Sequence, residues 1–289
     1  MTSSRIVFVS TTVGERDIWT MRPDGSDRRN LTQTPDWEED HPAWSPDGMI
    51  AFCSRRHDKG EIYLMDPEDN SLSRVTENDL PDLRPHFSWD GQTILFASDR
   101  TGQADIHAMG RDGSDQRPLS NHHSFEVESA YDPDGSRIIF TTDRDGPRRL
   151  HVMDPDGGDQ RPLEASDAGG DDSAFSPDGQ WLACTSQRDG ENAIYIMRAD
   201  GTQARRVTPE GFVSWQASCS PDASQLVFTA HVGDTPQLHR INADGSGLVH
   251  LSGEHADEFA ATGGRSCPRN RPLCANPHRA QQGVSSHAR

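Results

Sequence analysis

The stretch Ser88-Trp89-Asp90-Gly91-Gln92-Thr93-Ile94-Leu95-Phe96-Ala97-Ser98-Asp99-Arg100 continues as Thr101-Gly102-Gln103-Ala104-Asp105-Ile106-His107-Ala108-Met109-Gly110-Arg111-Asp112-Gly113. It alternates turns with short apolar runs. In the outer two turns Asp precedes Gly, because an Asp side chain bonds nearby backbone amides and Gly accepts a positive φ. The run Ile94-Leu95-Phe96 has no polar face, so it reads as a strand covered on both sides. Outward from this stretch the same signals recur. The closing hairpin appears as Pro23-Asp24-Gly25, Pro67-Glu68-Asp69, Arg111-Asp112-Gly113, Pro155-Asp156-Gly157, Ala199-Asp200-Gly201 and Ala243-Asp244-Gly245, its central acid advancing by 44 residues each time. The opening turn appears as Ser45-Pro46-Asp47-Gly48, Ser88-Trp89-Asp90-Gly91, Asp132-Pro133-Asp134-Gly135, Ser176-Pro177-Asp178-Gly179 and Ser220-Pro221-Asp222-Ala223. A fixed period of this length marks an array of small structural units.

Each unit offers four short strands, as in Ala43-Trp44, Ile50-Ala51-Phe52-Cys53, Glu61-Ile62-Tyr63-Leu64-Met65 and Arg74-Val75-Thr76, and nothing in it reads as a helix. The fourth strand is polar and rich in Arg, as in Gln160-Arg161-Pro162-Leu163, which suits the solvated edge of a sheet. The repeats begin and stop in mid-unit. Arg5 to Thr32 supplies three strands without an innermost one, and Glu258 to Thr262 can supply it from the far end. The fold class expected is therefore all-β: a six-bladed β-propeller of four-stranded blades over residues 1–263, closed by pairing the N- and C-terminal ends of the chain. Residues 264–289 carry Arg265, Arg269, Arg271, Arg279 and Arg289 with no acid and no apolar periodicity, and read as a disordered basic tail.

Composition narrows the partners. Apolar residues make up 32% of the 289, thin for one thick core but sufficient for many shallow interfaces around a ring. A net charge of -18 excludes a general nucleic-acid binder, which needs a basic face. No stretch approaches the ~20 consecutive apolar residues of a membrane helix, and Met1 to Arg5 leads directly into the strand-like Ile6-Val7-Phe8-Val9. The expectation is a cytoplasmic monomer without membrane insertion. Cys53, Cys184 and Cys219 lie in strand patterns and act as small hydrophobes, while Cys267 and Cys274 lack the paired spacing of a zinc site.

The opening turn, the strand after it and the segments Ser98-Asp99-Arg100-Thr101-Gly102-Gln103-Ala104-Asp105-Ile106 and Thr142-Asp143-Arg144-Asp145-Gly146 resemble the WD40-like (PD40) repeats of TolB-like propellers. The resemblance runs from residue 4 to about 262. It implies a stand-alone propeller of that family, without the separate N-terminal domain that TolB carries, and a role in binding partner proteins over the propeller channel. Similar repeats form the propellers of prolyl-oligopeptidase-like peptidases and of oligogalacturonate lyases.

Candidate site residues follow from aligning the segments that lead into each innermost strand. One position holds His41, Arg84, Glu128, Asp172, Gln216 and Ala260, and two residues earlier stand Glu39, Asp82, Glu126, Gly170, Ser214 and Glu258. Identity varies there while the turns stay constant, as for loops specialised on a rigid scaffold. The function expected is a non-catalytic scaffold that recognises a protein or peptide partner at the channel mouth. Glu126, Glu128 and Asp172, with Glu39 as a further oxygen ligand, form a candidate Ca²⁺ site, against which Arg84 and His41 weigh as partners for the same carboxylates. The alternative is a metal-assisted lyase or lactonase acting on an acidic sugar or lactone at the same channel, with His122-His123 beside Glu126 and Glu128 as a hook for Mn or Zn. The run Asp154 to Asp159 lacks the distal Glu of a calcium loop and reads as a hairpin turn. No nucleophile motif is present, and Trp19, Tyr63, Tyr195, His107, His151 and His239 share one repeat position suited to packing.

Overall fold

Each repeat folds into one antiparallel four-stranded sheet, and six such sheets form a ring in the computed structural model, which describes residues 4–57, 59–163, 169–253 and 257–265. Among the described residues every element is a strand and there is no helix. The innermost strands are Glu39–Trp44, Asp82–Phe87, Glu126–Tyr131, Asp171–Phe175, Ser214–Cys219 and Glu258–Arg265, belonging to blades two to six and then one. Around the ring each contacts the next.

Closure takes the form the sequence suggests. Glu258–Arg265 pairs with Ser4–Ser10, setting Ser10 opposite Glu258 and Val7 opposite Thr262. The strand takes in Gly264 and Arg265, where the sequence places the start of the tail. From residue 266 that tail, with Cys267 and Cys274, lies outside the described residues.

The doubly apolar second and third strands are explained by the packing. One buried cluster fills each of the six interfaces between neighbouring blades, so both faces of every sheet are covered. Phe8, Phe52, Phe96, Phe140 and Phe228 occupy one repeat position and are fully buried. His107, His151 and His239 pack on three of these rings and Tyr63 on a fourth, the packing role expected of that position. Burial also pushes the Cys53 and Cys184 thiols up to about 12, consistent with inert hydrophobes.

Connectivity gives the ring two unlike faces. The opening turns and closing hairpins lie on one. The other carries the starts of the innermost strands, the hairpins between second and third strands, and the links between blades. Exposed apolar side chains gather on this second face: Val13, Trp37, Leu80, Val213 and Val232.

Candidate binding site at the channel mouth

Every innermost strand carries a β-bulge where the alignment places its variable residue. Register against the second strand shifts between Asp40 and Ala43, Leu83 and His86, Val127 and Ala130, Asp171 and Ala174, and Trp215 and Ser218. His41, Arg84, Glu128, Asp172 and Gln216 sit in these bulges at φ of 52°, 56°, 57°, 48° and 55°. None is Gly, so each holds a left-handed backbone that costs about 1–2 kcal/mol. A bulge re-aims its side chain away from the regular pleat. Here it brings the residues at positions 84, 128 and 172 of three consecutive blades together.

Three of the five meet directly. The Arg84 guanidinium bonds Glu128 and lies 3.8 Å from an Asp172 carboxylate oxygen. Asp172 in turn donates its backbone N–H to Glu128 Oε2 at 2.8 Å. His41 stays beside its own neighbour, with Nδ1 3.7 Å from Asp40. Gln216 donates its backbone N–H to Thr185 Oγ1.

Asp171 joins the cluster although the alignment does not single it out. Carboxylate oxygens of Glu128, Asp171 and Asp172 lie within 4.8 Å of one another, the one such group among the described residues. On its other side Asp171 bonds Arg148 at 2.8 Å, as Asp40 bonds Arg16 at 3.0 Å. The doublet Asp171-Asp172, matched by Asp40-His41, is the signal that would have found it.

Burial raises the pKa of all three acids, and their mutual repulsion adds to it. Asp171 is pushed up to about 7, first by burial and then by Glu128. His41 moves the other way, down to about 4, chiefly because burial disfavours its charged form. The ring thus holds a neutral imidazole and a carboxylate cluster that completes its ionisation only above neutrality.

Glu126 stands elsewhere than the metal set Glu126, Glu128 and Asp172 requires. Strand alternation buries it completely against the Arg144 guanidinium, while the bulge sends Glu128 into the cluster. Glu39 and Asp82 are likewise fully buried and bonded to Arg56 and Arg100, and Glu258 to Arg28. Glu39, Asp82, Glu126 and Glu258 at this position therefore supply internal ion pairs. The residues that could hold a cation are Glu128, Asp171 and Asp172, already flanked by Arg84 and Arg148. His122 and His123 are exposed and belong to no such group among the described residues. Asp154 to Asp159 closes a hairpin turn, with Gly157 N–H donating to Asp154 O at 2.9 Å.

The comparisons with known proteins agree with this architecture. The TolB beta propeller domain family (PD40) matches residues 83–172 and 169–263. The chain belongs to that family. No curated protein sequence matches it. Among solved structures, TolB from Acinetobacter baumannii is similar at 24% identity and a TM-score of 0.79, covering 90% of this chain, which spans 66% of that one. A putative TolB from Agrobacterium tumefaciens matches at 22% identity and a TM-score of 0.71, over 92% of this chain and 99% of its own. An oligogalacturonate lyase in complex with manganese is more distant, at 17% identity and a TM-score of 0.58, over 82% of this chain and 72% of its own. At these identities the likenesses concern the fold. No helix among the described residues is long and apolar enough to cross a membrane.

Proposed function

We propose that this propeller is a non-catalytic scaffold that captures a peptide segment or protein loop bearing a basic group at the channel mouth. One observation carries the reading: Glu128, Asp171 and Asp172 converge from two adjacent blades with their carboxylates within 4.8 Å. Arg84 and Arg148 offset only part of that charge, so a further cation entering the mouth is favoured, while a purely acidic ligand is repelled. The bulges hold these groups on paired strands, and such rigidity limits the ordering cost of binding. Val13, Trp37, Leu80, Val213 and Val232 on the same face offer apolar contact to the flanks of such a segment.

The test is selection from a displayed random-peptide library on the protein, with binders measured against an Arg84→Ala/Glu128→Ala variant. Enrichment of Lys- or Arg-containing peptides that lose at least tenfold in affinity to the variant is expected. Binders that ignore the variant but are released by changing Arg205 and Arg206 on the outer edge would place recognition elsewhere.

The second reading is a metal-assisted lyase or lactonase, supported by the same three carboxylates and by the likeness to a manganese-bound lyase fold. Thermal melting with EDTA, Ca²⁺ and Mn²⁺ separates the two. Under the scaffold reading no stoichiometric transition metal accompanies the protein.

A further inference from the structure

The buried ion pair beneath the channel mouth is repeated in blades two to four, rebuilt with an arginine from another position in blade one, and broken in blade five. In blades two to four the acids Glu39, Asp82 and Glu126 each accept a bond from Nη2 of Arg56, Arg100 and Arg144, and in blade one, where Thr12 stands at the arginine position, Glu258 accepts it from Arg28 beyond the closing hairpin. Each arginine also lies over an aromatic ring of its own blade: Phe8, Tyr63, Phe96 and Phe140. Blade six has neither partner, with Ser214 and Val232 at the two positions. Acid and base are lost together there, so packing does not demand either.

Blade five keeps the base and drops the acid. Arg188 shares the pose of Arg56: its Nε donates to Ser186 Oγ at 3.1 Å, as Arg56 Nε donates to Ser54 Oγ at 2.9 Å, and its guanidinium lies 4.6 Å over Tyr195, whereas the Nε of Arg100 and of Arg144 has no partner among the described residues. Gly170 stands where the carboxylate should be. Arg188 Nη2, the atom that meets the acid in blades two to four, is buried without a hydrogen-bond partner among the described residues. The adjacent Asp189 does not supply one, because it accepts the Tyr195 hydroxyl. A Cβ built on Gly170 would lie 2.9 Å from Leu150 Cγ, so the native route of a side chain from position 170 is already occupied.

A half-buried guanidinium whose inner nitrogen is shut away from solvent without its counter-charge is unfavourable, and an apolar residue is the usual outcome when such a pair decays. Stacking on Tyr195 accounts for the plane of the guanidinium but leaves Nη2 unexplained. We infer that blade five carries a carboxylate-binding niche, in which Arg188 Nη2 receives the carboxylate of a ligand in place of the acid found in its sister blades. The ligand class is a small carboxylic acid or an acidic side chain presented by a partner. The niche adjoins the cluster at the channel mouth, one residue before Asp171, and does not depend on the basic-peptide reading.

Thermal melting at pH 7.5 in sodium acetate, against sodium chloride of equal ionic strength, tests this. Acetate at about 0.3 M should raise the melting temperature by about 2 °C over chloride, the size expected for weak one-site binding to a chain of this length. Arg188→Gln should abolish the difference. Gly170→Glu, which restores an acid in cis if Leu150 gives way, should abolish it too, and guards against an Arg188 variant that does not fold. The peptide acetyl-Gly-Glu-Gly-amide distinguishes the sources: a shift at tenfold lower concentration than acetate assigns a partner's side chain, and a shift with acetate alone assigns a free acid. An equal response in wild type and Arg188→Gln, or no response in wild type, overturns the niche. So does an acetate response that appears only in Glu164→Gln/Asp167→Asn, since the chain's own acids would then be the counter-charge.

Discussion

Arg84 and Glu128 are 44 residues apart, one full repeat, and the side chain of the first bonds the carboxylate of the second across the boundary between blades three and four. Asp172, a further repeat on, bonds Glu128 from the other side. Corresponding positions that merely face solvent in an array have here become partners. Glu128 is nearly buried, at 9% exposure, and has two acids beside it, and Arg84 is the cation that bonds it. Arg84→Ala alone should therefore cost more stability than Arg84→Ala/Glu128→Ala together. A double-mutant cycle by urea unfolding should return a coupling of about 1–3 kcal/mol. Additive single changes would mean the pair is no more than a solvated surface contact.

The raised acids give a pH dependence of definite sign. Asp171 has a folded pKa of about 7 against an ordinary value of 3.8, so between these values the folded state holds a proton that the unfolded state has lost. Stability from this group is full below the lower value and declines as pH rises toward and through about 7. His41, with a folded pKa of about 4, opposes it: below its ordinary 6.5 the unfolded chain gains a proton that the folded one refuses. Asp171→Asn removes the first effect and leaves that of His41 in place, while also easing the repulsion on Asp172. Relative to wild type, the variant should gain about 1 kcal/mol on going from pH 6 to pH 8. Capture of a basic peptide should strengthen over the same interval, as the cluster completes its ionisation. Unfolding and binding curves whose wild-type to variant differences stay flat with pH would remove the titrating cluster from both accounts.

Most of the fold was legible because its signals are local and repeated. Asp-Gly turns, doubly apolar strands, and three strands at the start of the array that lack the innermost one found at its end require only the blade and ring that the structure contains. The positions of the bulges were legible for a physical reason, whereas the contacts they make were not. Aligning His41, Arg84, Glu128, Asp172 and Gln216 found the bulge positions, since their identities vary where the frame does not. Which neighbour each bulge would meet was not legible. A single inserted residue rotates the side chains on either side of it, so Glu126 parts company with Glu128, and Asp171 joins Asp172. The arginine of Ser98-Asp99-Arg100 and Thr142-Asp143-Arg144 is legible only as part of a repeated motif, but Arg100 and Arg144 reach back to the acids at the strand start. Only spatial proximity reveals that pairing.

The bulges should be measurable as strain. Gln216 adopts φ 55°, where Gly pays no steric cost and a β-branched residue pays most. Gln216→Gly should be neutral or stabilising by up to about 1 kcal/mol despite the loss of a side chain, whereas Gln216→Val should cost about 2 kcal/mol. If urea unfolding ranks Val above Gly, the left-handed bulge is not maintained in solution.

Ring closure by the last strand predicts a sharp boundary. A chain ending at Arg265 retains every strand, while one ending at Asp257 removes the whole of Glu258–Arg265 and with it the partner of Ser4–Ser10. The shorter chain should also leave Arg28 without Glu258. It should melt at least 10 °C lower or fail to fold, given the bare sheet edge and the unpaired arginine together. Equal melting of the two chains would show that the ring does not close through this strand.

The hairpin glycines offer the most discriminating comparison, because equal turn chemistry hides unequal surroundings. Gly113 has φ 85° and Gly157 φ 92°, as a tight turn requires. Each also lies directly against the outer edge of the preceding blade. A Cβ at Gly113 would come within 2.4 Å of the Val75 carbonyl oxygen, and one at Gly157 within 2.3 Å of that of Leu119. These oxygens belong to backbone and cannot step aside without shifting a blade. Gly135, in an opening turn, has φ 73° but nothing within 4 Å of the same point. Gly135→Ala should therefore show only the backbone penalty of about 1 kcal/mol. Gly113→Ala and Gly157→Ala should each cost that and at least about 2 kcal/mol more, for prising apart two packed blades. Urea unfolding of the three variants decides it. A common value would mean that these glycines serve the turn alone, and that the close approach between blades relaxes at no cost.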